Sequence, residues 1–246
     1  MSGERQDAGD TDEFVTEGIP EILLNYDDRD IFNADETAFL FRLMPWRTYA
    51  FKDEDVAGGK KRKDRLTLML ACNMDGSQKL KAMVIGKARN PKCVRDSGMS
   101  TNELPVDYFS NKKGWMTGRI FDEWLSRINR KMVYQDRHIA MIVDNASSHT
   151  HREYSNIKLV FLPPNTTSLL QPLDMGILRS VKSRYRKKIA EIYLQGVEAD
   201  QDKKTILRSL NFLRAVNLIA ECWEETPRSV IENCWRRAHF SRARRQ

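Results

Sequence analysis

Three aspartates in this sequence stand where short apolar runs end or where a helix is about to begin. We predict Asp35 at the end of a first strand within Asp30–Phe39 and Asp144 at the end of a later strand, His138–Val143. We predict Asp174 at the start of a long helix. In open sheets with helices on both faces, ligand sites gather outside the strand ends. If the two strands are neighbours, the three carboxylates meet at one edge of the sheet.

Three carboxylates brought that close repel one another strongly unless a cation neutralises them. Carboxylate oxygens suit Mg²⁺, which fills its other positions with water and phosphate oxygens. Two such ions about 3.5–4 Å apart would stabilise both the attacking and the leaving oxygen of a phosphodiester displacement. We therefore predict that Asp35, Asp144 and Asp174 are catalytic residues that hold two Mg²⁺ or Mn²⁺ ions. Each acid taken alone also fits a structural role, as a helix-dipole partner or a turn former.

The elements that would position these acids read as three strands, then two helix–strand pairs, then helices. An Asp-Gly turn predicts a hairpin between strands 66–73 and 79–86, and residues 87–116 read as irregular. A helix is predicted to open at Thr117, and a strand 157–162 stops at two prolines. Gln171-Pro172 then sets the start of the helix that carries Asp174, and two more helices are predicted at about 205–225 and 227–240. This order predicts an α/β fold, a central mixed sheet flanked by helices and followed by a helical C-terminal tail.

Charge is distributed unevenly along the 246 residues. Residues 1–30 hold ten acids and two arginines, a net charge of −8, which leaves 24 acids against 39 lysines and arginines, or +15, in residues 31–246. A basic body favours a polyanionic partner. No apolar run approaches the ~20 residues that span a bilayer, so no membrane partner is expected. The four cysteines form no CxxC pair, which predicts neither a zinc site nor a disulfide framework.

Several further side chains could contact DNA or support the acids. Arg179, Lys182 and Arg186 recur on one helix face beside the Asp174 end, where they would suit phosphate groups or simply a solvated surface. His149 and Asn145 follow Asp144 and could approach a phosphate, although a cap or surface role fits them equally. Glu36 should alternate to the opposite face from Asp35, so it is predicted to be structural and not a ligand. Trp46, Trp115 and Trp124 are predicted to be core residues.

Several segments together resemble a known family. "FNADETAF", "DRLTLMLACNMDGSQKLKAMVIGKARNPK", "NKKGWMT", "IVDNASSH" and "VFLPPNTTSLLQPLDMGILRSVKSRYRKK" resemble the DDE endonuclease domain of pogo/Tigger-type transposases, whose relatives include jerky and centromere-protein-B-like proteins. The resemblance covers about residues 30–195. It implies an RNase H-like fold and places the family's catalytic acids at Asp35, Asp144 and Asp174. Ser147 stands where many relatives have proline, a change that leaves the acid untouched.

The resemblance also sets the expected organisation and function. We expect an acidic, partly disordered leader at residues 1–29, a catalytic domain at 30–196 and a helical extension at 197–246. Relatives carry helix-turn-helix segments before this domain, so the chain is either a fragment or finds DNA by other means. The leading expectation is a DNA endonuclease and strand-transfer domain in the nucleus, with DNA as its partner and a homodimer as one assembly. The alternatives left open are a DNA- or chromatin-binding protein without catalysis and a nuclease acting on RNA or RNA–DNA hybrids.

Two basic stretches fit the nuclear assignment. "GGKKRKDR" (residues 58–65) and "WRRAHFSRARR" (residues 235–245) are each patterns of nucleic-acid contact or nuclear import. Such patterns are common, so they add little by themselves.

Overall fold

The structure is a computed structural model, and it describes residues 9–42 and 65–242. The predictions made for Trp46, for residues 1–8 of the leader and for most of the basic stretch 58–65 lie outside the described residues. Residues 243–245 of the second basic stretch also lie outside them.

Six strands form one mixed sheet. They are β1 (Ile31–Leu40), β2 (Arg65–Asn73), β3 (Met83–Gly86), β4 (Asp107–Ser110), β5 (Ile139–Val143) and β6 (Ile157–Phe161). The order across the sheet is β4-β3-β2-β1-β5-β6. Strands β1, β2 and β3 are antiparallel neighbours, whereas β5 runs parallel to β1 and β6 parallel to β5. This arrangement confirms the predicted RNase H-like fold.

Strand β4 is an addition at the outer edge of that sheet, and it corrects the prediction that residues 87–116 are irregular. It pairs in parallel with β3, from Met83 opposite Asp107 to Gly86 opposite Ser110. Four residues give too short an alternating pattern for sequence periodicity to detect. The turn after β4 leads directly into the next helix.

Besides the helical residues 9–18, eight helices accompany the sheet within the described residues. They are α1 (Ile19–Asn25), α2 (Lys92–Asp96), α3 (Gly118–Tyr134), α4 (Thr167–Leu170), α5 (Leu178–Glu198), α6 (Lys203–Ser209), α7 (Phe212–Glu224) and α8 (Arg228–Arg237). Thr117 caps α3, since its side chain accepts the Ile120 N–H. The helix predicted at about 205–225 is two helices, α6 and α7, with Asn211 capping the second. No helix of the described chain is both long and apolar enough to cross a bilayer.

Alternate residues of β1 face two different cores. Phe32 and Ala34 pack with Phe121 and Trp124 of α3. Ile31 and Phe39 pack on the other face with α5, α7 and α8. Strand β5 is buried along its whole length, as its continuous apolar sequence predicts.

The segments that were expected to flank the domain contribute to its core. Residues 9–13 are helical, and Ile19 and Ile22 of the expected leader are buried in the main core. At the other end the Trp223 indole N–H donates to the Leu80 carbonyl oxygen at 2.8 Å. Trp235 of α8 is 1% exposed. The helices after residue 197 therefore form one layer of the fold.

Candidate active site

Asp35 lies in the middle of β1, which corrects the expectation that it ends the strand. It pairs with Leu70, and the ladder with β2 continues five residues further, to Leu40 opposite Arg65. Its parallel neighbour β5 ends at Val143, so only one side of β1 continues to be paired there. Asp35 is 6% exposed, and it points to the α5 face because it shares the alternation of Ile31 and Phe39.

A buried amide network attaches the Asp174 segment to β1. The Asn33 side-chain amide donates to the Ile142 carbonyl oxygen at 3.0 Å and to Gln171 Oε1 at 2.9 Å. Its Oδ1 accepts the Leu173 N–H at 3.0 Å, one residue before Asp174. The Gln171 side chain in turn hydrogen-bonds Asp35. Asn33 and Gln171 are both fully buried, so these contacts fix the two acids relative to each other.

Asp174 lies in a short turn, Leu173–Ile177, and not in the long helix predicted to begin there. Gly176 interrupts the helical geometry with φ at 148°, and α5 begins only at Leu178. A side chain at Gly176 would meet Cys234 Sγ at 3.3 Å, so α8 also restricts this position. The kink lets the turn lie against β1 while α5 runs along the sheet.

Asp144 follows the last residue of β5 and is held by a buried histidine. His149 Nδ1 lies 2.8 Å from Asp144 Oδ1 and 3.0 Å from the Asp144 carbonyl oxygen, and Nε2 lies 2.9 Å from Glu36 Oε2. The imidazole side chain is 0% exposed and stacks on Phe121, with ring centroids 4.3 Å apart. Both ring nitrogens are therefore occupied, and His149 does not face DNA as one prediction had it. Glu36 lies on the opposite face from Asp35, as its position in the strand predicts.

The electrostatics of the three aspartates differ sharply. Burial, followed by the charges of Asp174 and Asp144, raises the pKa of Asp35 well above its usual range. Burial also raises the pKa of Asp174, whose side chain hydrogen-bonds Asp35. At Asp144 burial acts in the same direction, but the hydrogen bonds from His149 outweigh it and lower the pKa.

The charge on His149 follows from the same contacts. Burial favours the neutral ring, yet the hydrogen bonds to Asp144 and Glu36 raise its pKa to about 10. The imidazole is thus a cation at neutral pH, and it keeps Asp144 ionised.

The three aspartates repel one another when ionised, and divalent cations would neutralise that repulsion. Close carboxylates repel one another, so in the absence of a cation, burial and the charges of Asp174 and Asp144 favour a proton on Asp35 and raise its pKa. A divalent cation suits that oxygen-rich position and would remove the need for the proton. Among the described residues, no three Asp, Glu, His or Cys side chains already stand in metal-ligating geometry. The acids are thus near enough to act on each other's charge, but they are not arranged as ligands.

The three predicted basic residues lie on α5 as expected, at different depths. Arg179 and Arg186 are exposed, whereas Lys182 is half-buried and its ammonium donates to Thr37 Oγ1 at 2.6 Å. Burial and the charge of Arg186 lower the pKa of Lys182, while Asp174 and Asp35 partly oppose that shift. Lys182 therefore lies close enough to Asp174 and Asp35 for their charges to act on its pKa.

Two residues of the site were missed by sequence reasoning. Asn33 and Gln171 read as an ordinary strand residue and a helix-start residue. One signal existed for Asn33, because it is polar inside an apolar strand and lies two residues before Asp35, on the same face.

Replacing Asn33 by Ala is expected to cost about 1–3 kcal/mol of unfolding free energy, because it leaves buried hydrogen-bonding groups unpaired. The Leu173 amide should also exchange hydrogen faster than the global stability loss explains, since it loses its acceptor. Asn73→Ala is the matched control, because Asn73 is also buried in the sheet but bonds Arg29 and Ser77 instead. Equal exchange of Leu173 in both variants would contradict this role for Asn33.

An RNase H-like sheet carrying three converging aspartates defines the class of DDE-type domains. The sequence model of the DDE superfamily endonuclease family matches residues 63–235, and the chain belongs to this family. The matched residues include Asp144 and Asp174, while Asp35 lies before them.

The chain is also similar to individual proteins of known name. It is 34% identical over 217 residues to the mouse Tigger transposable element-derived protein 4, covering 87% of this chain and 40% of that protein. It is 28% identical over 225 residues to the human major centromere autoantigen B, covering 90% of this chain and 35% of that protein. These matches confirm the predicted pogo/Tigger-type family. The chain spans about two fifths of the length of these relatives.

A solved structure shows a more distant likeness. The catalytic domain of Mos1 mariner transposase superimposes with a TM-score of 0.46 and 15% identity, covering 93% of this chain and 95% of that one.

Proposed function

We propose that this domain cleaves and joins DNA strands at phosphodiester bonds, using two Mg²⁺ or Mn²⁺ ions held by Asp35, Asp144 and Asp174. The observation that carries the proposal is the buried Asn33–Gln171 network, which holds the Asp174 turn against β1 beside Asp35, with Asp144 close enough for its charge to raise the pKa of both acids. A buried carboxyl whose pKa is raised by neighbouring acids is typical of a functional site. When bound, two divalent ions would activate the attacking hydroxyl and stabilise the leaving oxygen.

The chain's own residues would orient and bind the DNA around that centre. His149 keeps Asp144 ionised and Asn33 with Gln171 keeps the Asp174 turn against β1. Lys182 would contact a phosphate beside the acids, with Arg179 and Arg186 contacting the adjoining backbone. Water would attack first and release a 3′-hydroxyl, and that hydroxyl would then attack the target strand. No protein nucleophile is required.

The second candidate is a DNA-binding protein of the same family that lacks catalysis. It is supported by a relative named as a centromere autoantigen. We propose a nuclear location under either candidate function, and the basic stretch from Trp235 supports it. A homodimer stays a prediction.

Calorimetric titration of Mn²⁺ separates the two candidates. Asp144→Ala and Asp174→Ala should each abolish binding that the unchanged chain shows, and the exposed Glu191→Ala on α5 should not. Because DNA phosphates complete many such sites, the titration is repeated with a short duplex present. A chain that binds the duplex but takes up no Mn²⁺ even then would contradict catalysis and support the second candidate.

Cleavage assays then identify the substrate. Duplex DNA should be cut in Mn²⁺ and an RNA–DNA hybrid should not. Preferential cutting of the hybrid would assign the domain to general nucleases instead.

A further inference from the structure

One tryptophan is exposed on a short basic turn between β4 and α3. Trp115 is 53% exposed, which corrects its predicted place in the core, whereas Trp124, Trp223 and Trp235 are 2%, 3% and 1% exposed. An indole left in water forgoes a large burial energy, so its exposure needs a reason.

The turn that carries Trp115 is held rigidly. Asn111 Oδ1 accepts the backbone N–H groups of Lys113 at 3.0 Å and Gly114 at 2.7 Å. Its side-chain amide donates to the Trp115 carbonyl oxygen at 2.6 Å. Gly114 has a φ of 67°, which a side chain rarely permits, and its carbonyl oxygen accepts the Thr67 hydroxyl at 2.8 Å. The indole is therefore presented by a fixed backbone.

Four cationic residues lie on this turn or beside it, one of them directly over the ring. The Arg65 guanidinium lies over it, 5.3 Å from the ring centroid, and Lys112 and Lys113 are exposed in the same turn. The aliphatic part of Lys87 lies beside the turn, since a side chain at Gly114 would meet its Cγ at 3.3 Å. An exposed aromatic ring among cations is the combination that binds single-stranded nucleic acid.

The turn lies at the same end of the sheet as the acid site, on the opposite face. Thr67, which holds Gly114, pairs with Ala38, three residues beyond Asp35 on β1 and therefore on the α3 face. At the other end of the turn, a side chain at Gly118 would meet the Thr150 methyl group at 2.9 Å, next to His149. The platform is therefore a surface of its own beside α3.

We propose that Trp115 is a stacking platform for an unpaired DNA base whose flanking phosphates contact Arg65, Lys87, Lys112 and Lys113. Only an unstacked base can lie on the indole face, so this surface selects single-stranded over duplex DNA. The choice of DNA as the polymer rests on the proposed function, but the platform requires neither metal nor cleavage.

The test measures binding of labelled oligonucleotides of about 12 nucleotides in EDTA, so that a loss of catalysis leaves the result unaffected. Trp115→Ala should weaken single-strand binding about 5- to 150-fold, while Trp115→Phe should retain most of it. Duplex binding should change little in either variant. Tyr134→Ala, which removes a 91% exposed aromatic at the far end of α3, is the matched control and should bind normally.

Salt dependence separates the ring from the cations. The slope of log affinity against log salt should be unchanged in Trp115→Ala, and should fall by about 0.7 for each of Lys112→Gln and Lys113→Gln. Wild-type single-strand binding by Trp115→Ala, or an equal loss for duplex, would overturn the platform. Tighter binding of the same sequence as RNA would overturn the assignment to DNA.

Discussion

Asp35→Asn is expected to stabilise the metal-free protein by about 1–2 kcal/mol, and Asp144→Asn to destabilise it by about 1–3 kcal/mol. The same chemical change has opposite signs because the two pKa values shift in opposite directions. Ionised Asp35 is buried among like charges, so neutralising it relieves repulsion. Ionised Asp144 accepts a hydrogen bond from a buried cation, so neutralising it removes attraction.

The pH dependence follows with the same signs. The folded-state pKa of Asp35 is raised, so this group costs stability at neutral pH, and the cost falls as the pH drops below the raised pKa and is gone below the usual 3.8. The pKa of Asp144 is lowered, so its contribution is present above its usual pKa of 3.8 and is lost as the pH falls through the lowered value. Asp35→Asn should therefore lose its advantage in acid, and Asp144→Asn should lose its disadvantage.

Urea unfolding in EDTA measures both effects, with Glu191→Gln as an exposed control that should match the wild type. In Mn²⁺ the order should change, because the wild type gains stability from bound metal and Asp35→Asn does not. A destabilised Asp35→Asn in EDTA would show that the buried carboxylate is not repelled as described.

His149→Ala is expected to cost about 3–5 kcal/mol, since it leaves two carboxylates without their shared buried cation. Two conservative variants show how much of that loss of stability is due to each ring nitrogen. His149→Asn places an amide where Nδ1 contacts Asp144, and His149→Gln places one where Nε2 contacts Glu36. Mn²⁺ affinity should fall further in His149→Gln than in His149→Asn, because only the Gln variant frees the Asp144 side chain.

Glu36→Gln is the matched control for this series. It weakens the opposite side of the imidazole but leaves the contact with Asp144, so stability should fall while Mn²⁺ affinity is largely kept. Equal Mn²⁺ affinity in the Asn and Gln variants would show that His149 only stabilises the fold.

The charge of His149 adds a pH signature to the comparison with His149→Asn. Its folded-state pKa of about 10 lies above the usual 6.5, so its stabilisation is complete below 6.5 and is lost as the pH rises through about 10. The unfolding free energies of wild type and His149→Asn should therefore converge in alkali.

The sheet and the acids were predictable because their signals are local. Continuous apolar runs predict β5 and β6, the Asp-Gly turn predicts the β2–β3 hairpin, and polar residues after a strand predict a site. Asp144 and Asp174 were singled out by their positions at such points, and their charges do act on Asp35.

The remaining features depend on contacts between distant parts of the chain. His149 meets Glu36 from 113 residues away, and Asn33 meets Gln171 from 138 residues away. Asp35 was predicted to end its strand. β1 continues beyond it because β2 pairs with it as far as Leu40, although the pairing with β5 stops at Asn33. The exposure of Trp115 is set by the Asn111 turn and by Thr67, which no periodic pattern reveals.

Asp35 and Glu36 are adjacent on β1, so the site depends on the register of that strand. Because neighbouring residues face opposite sides, inserting or deleting one residue before Asp35 exchanges the two sides. A shift in one direction puts Glu36 opposite Asp174 and Thr37 opposite His149, so the imidazole loses a carboxylate. A shift in the other direction puts Ala34 opposite Asp174, so the proposed metal site loses a carboxylate instead. Either one-residue shift within β1 leaves one face of the strand without its acid. Only the native register places Asp35 opposite Asp174 and Glu36 opposite His149.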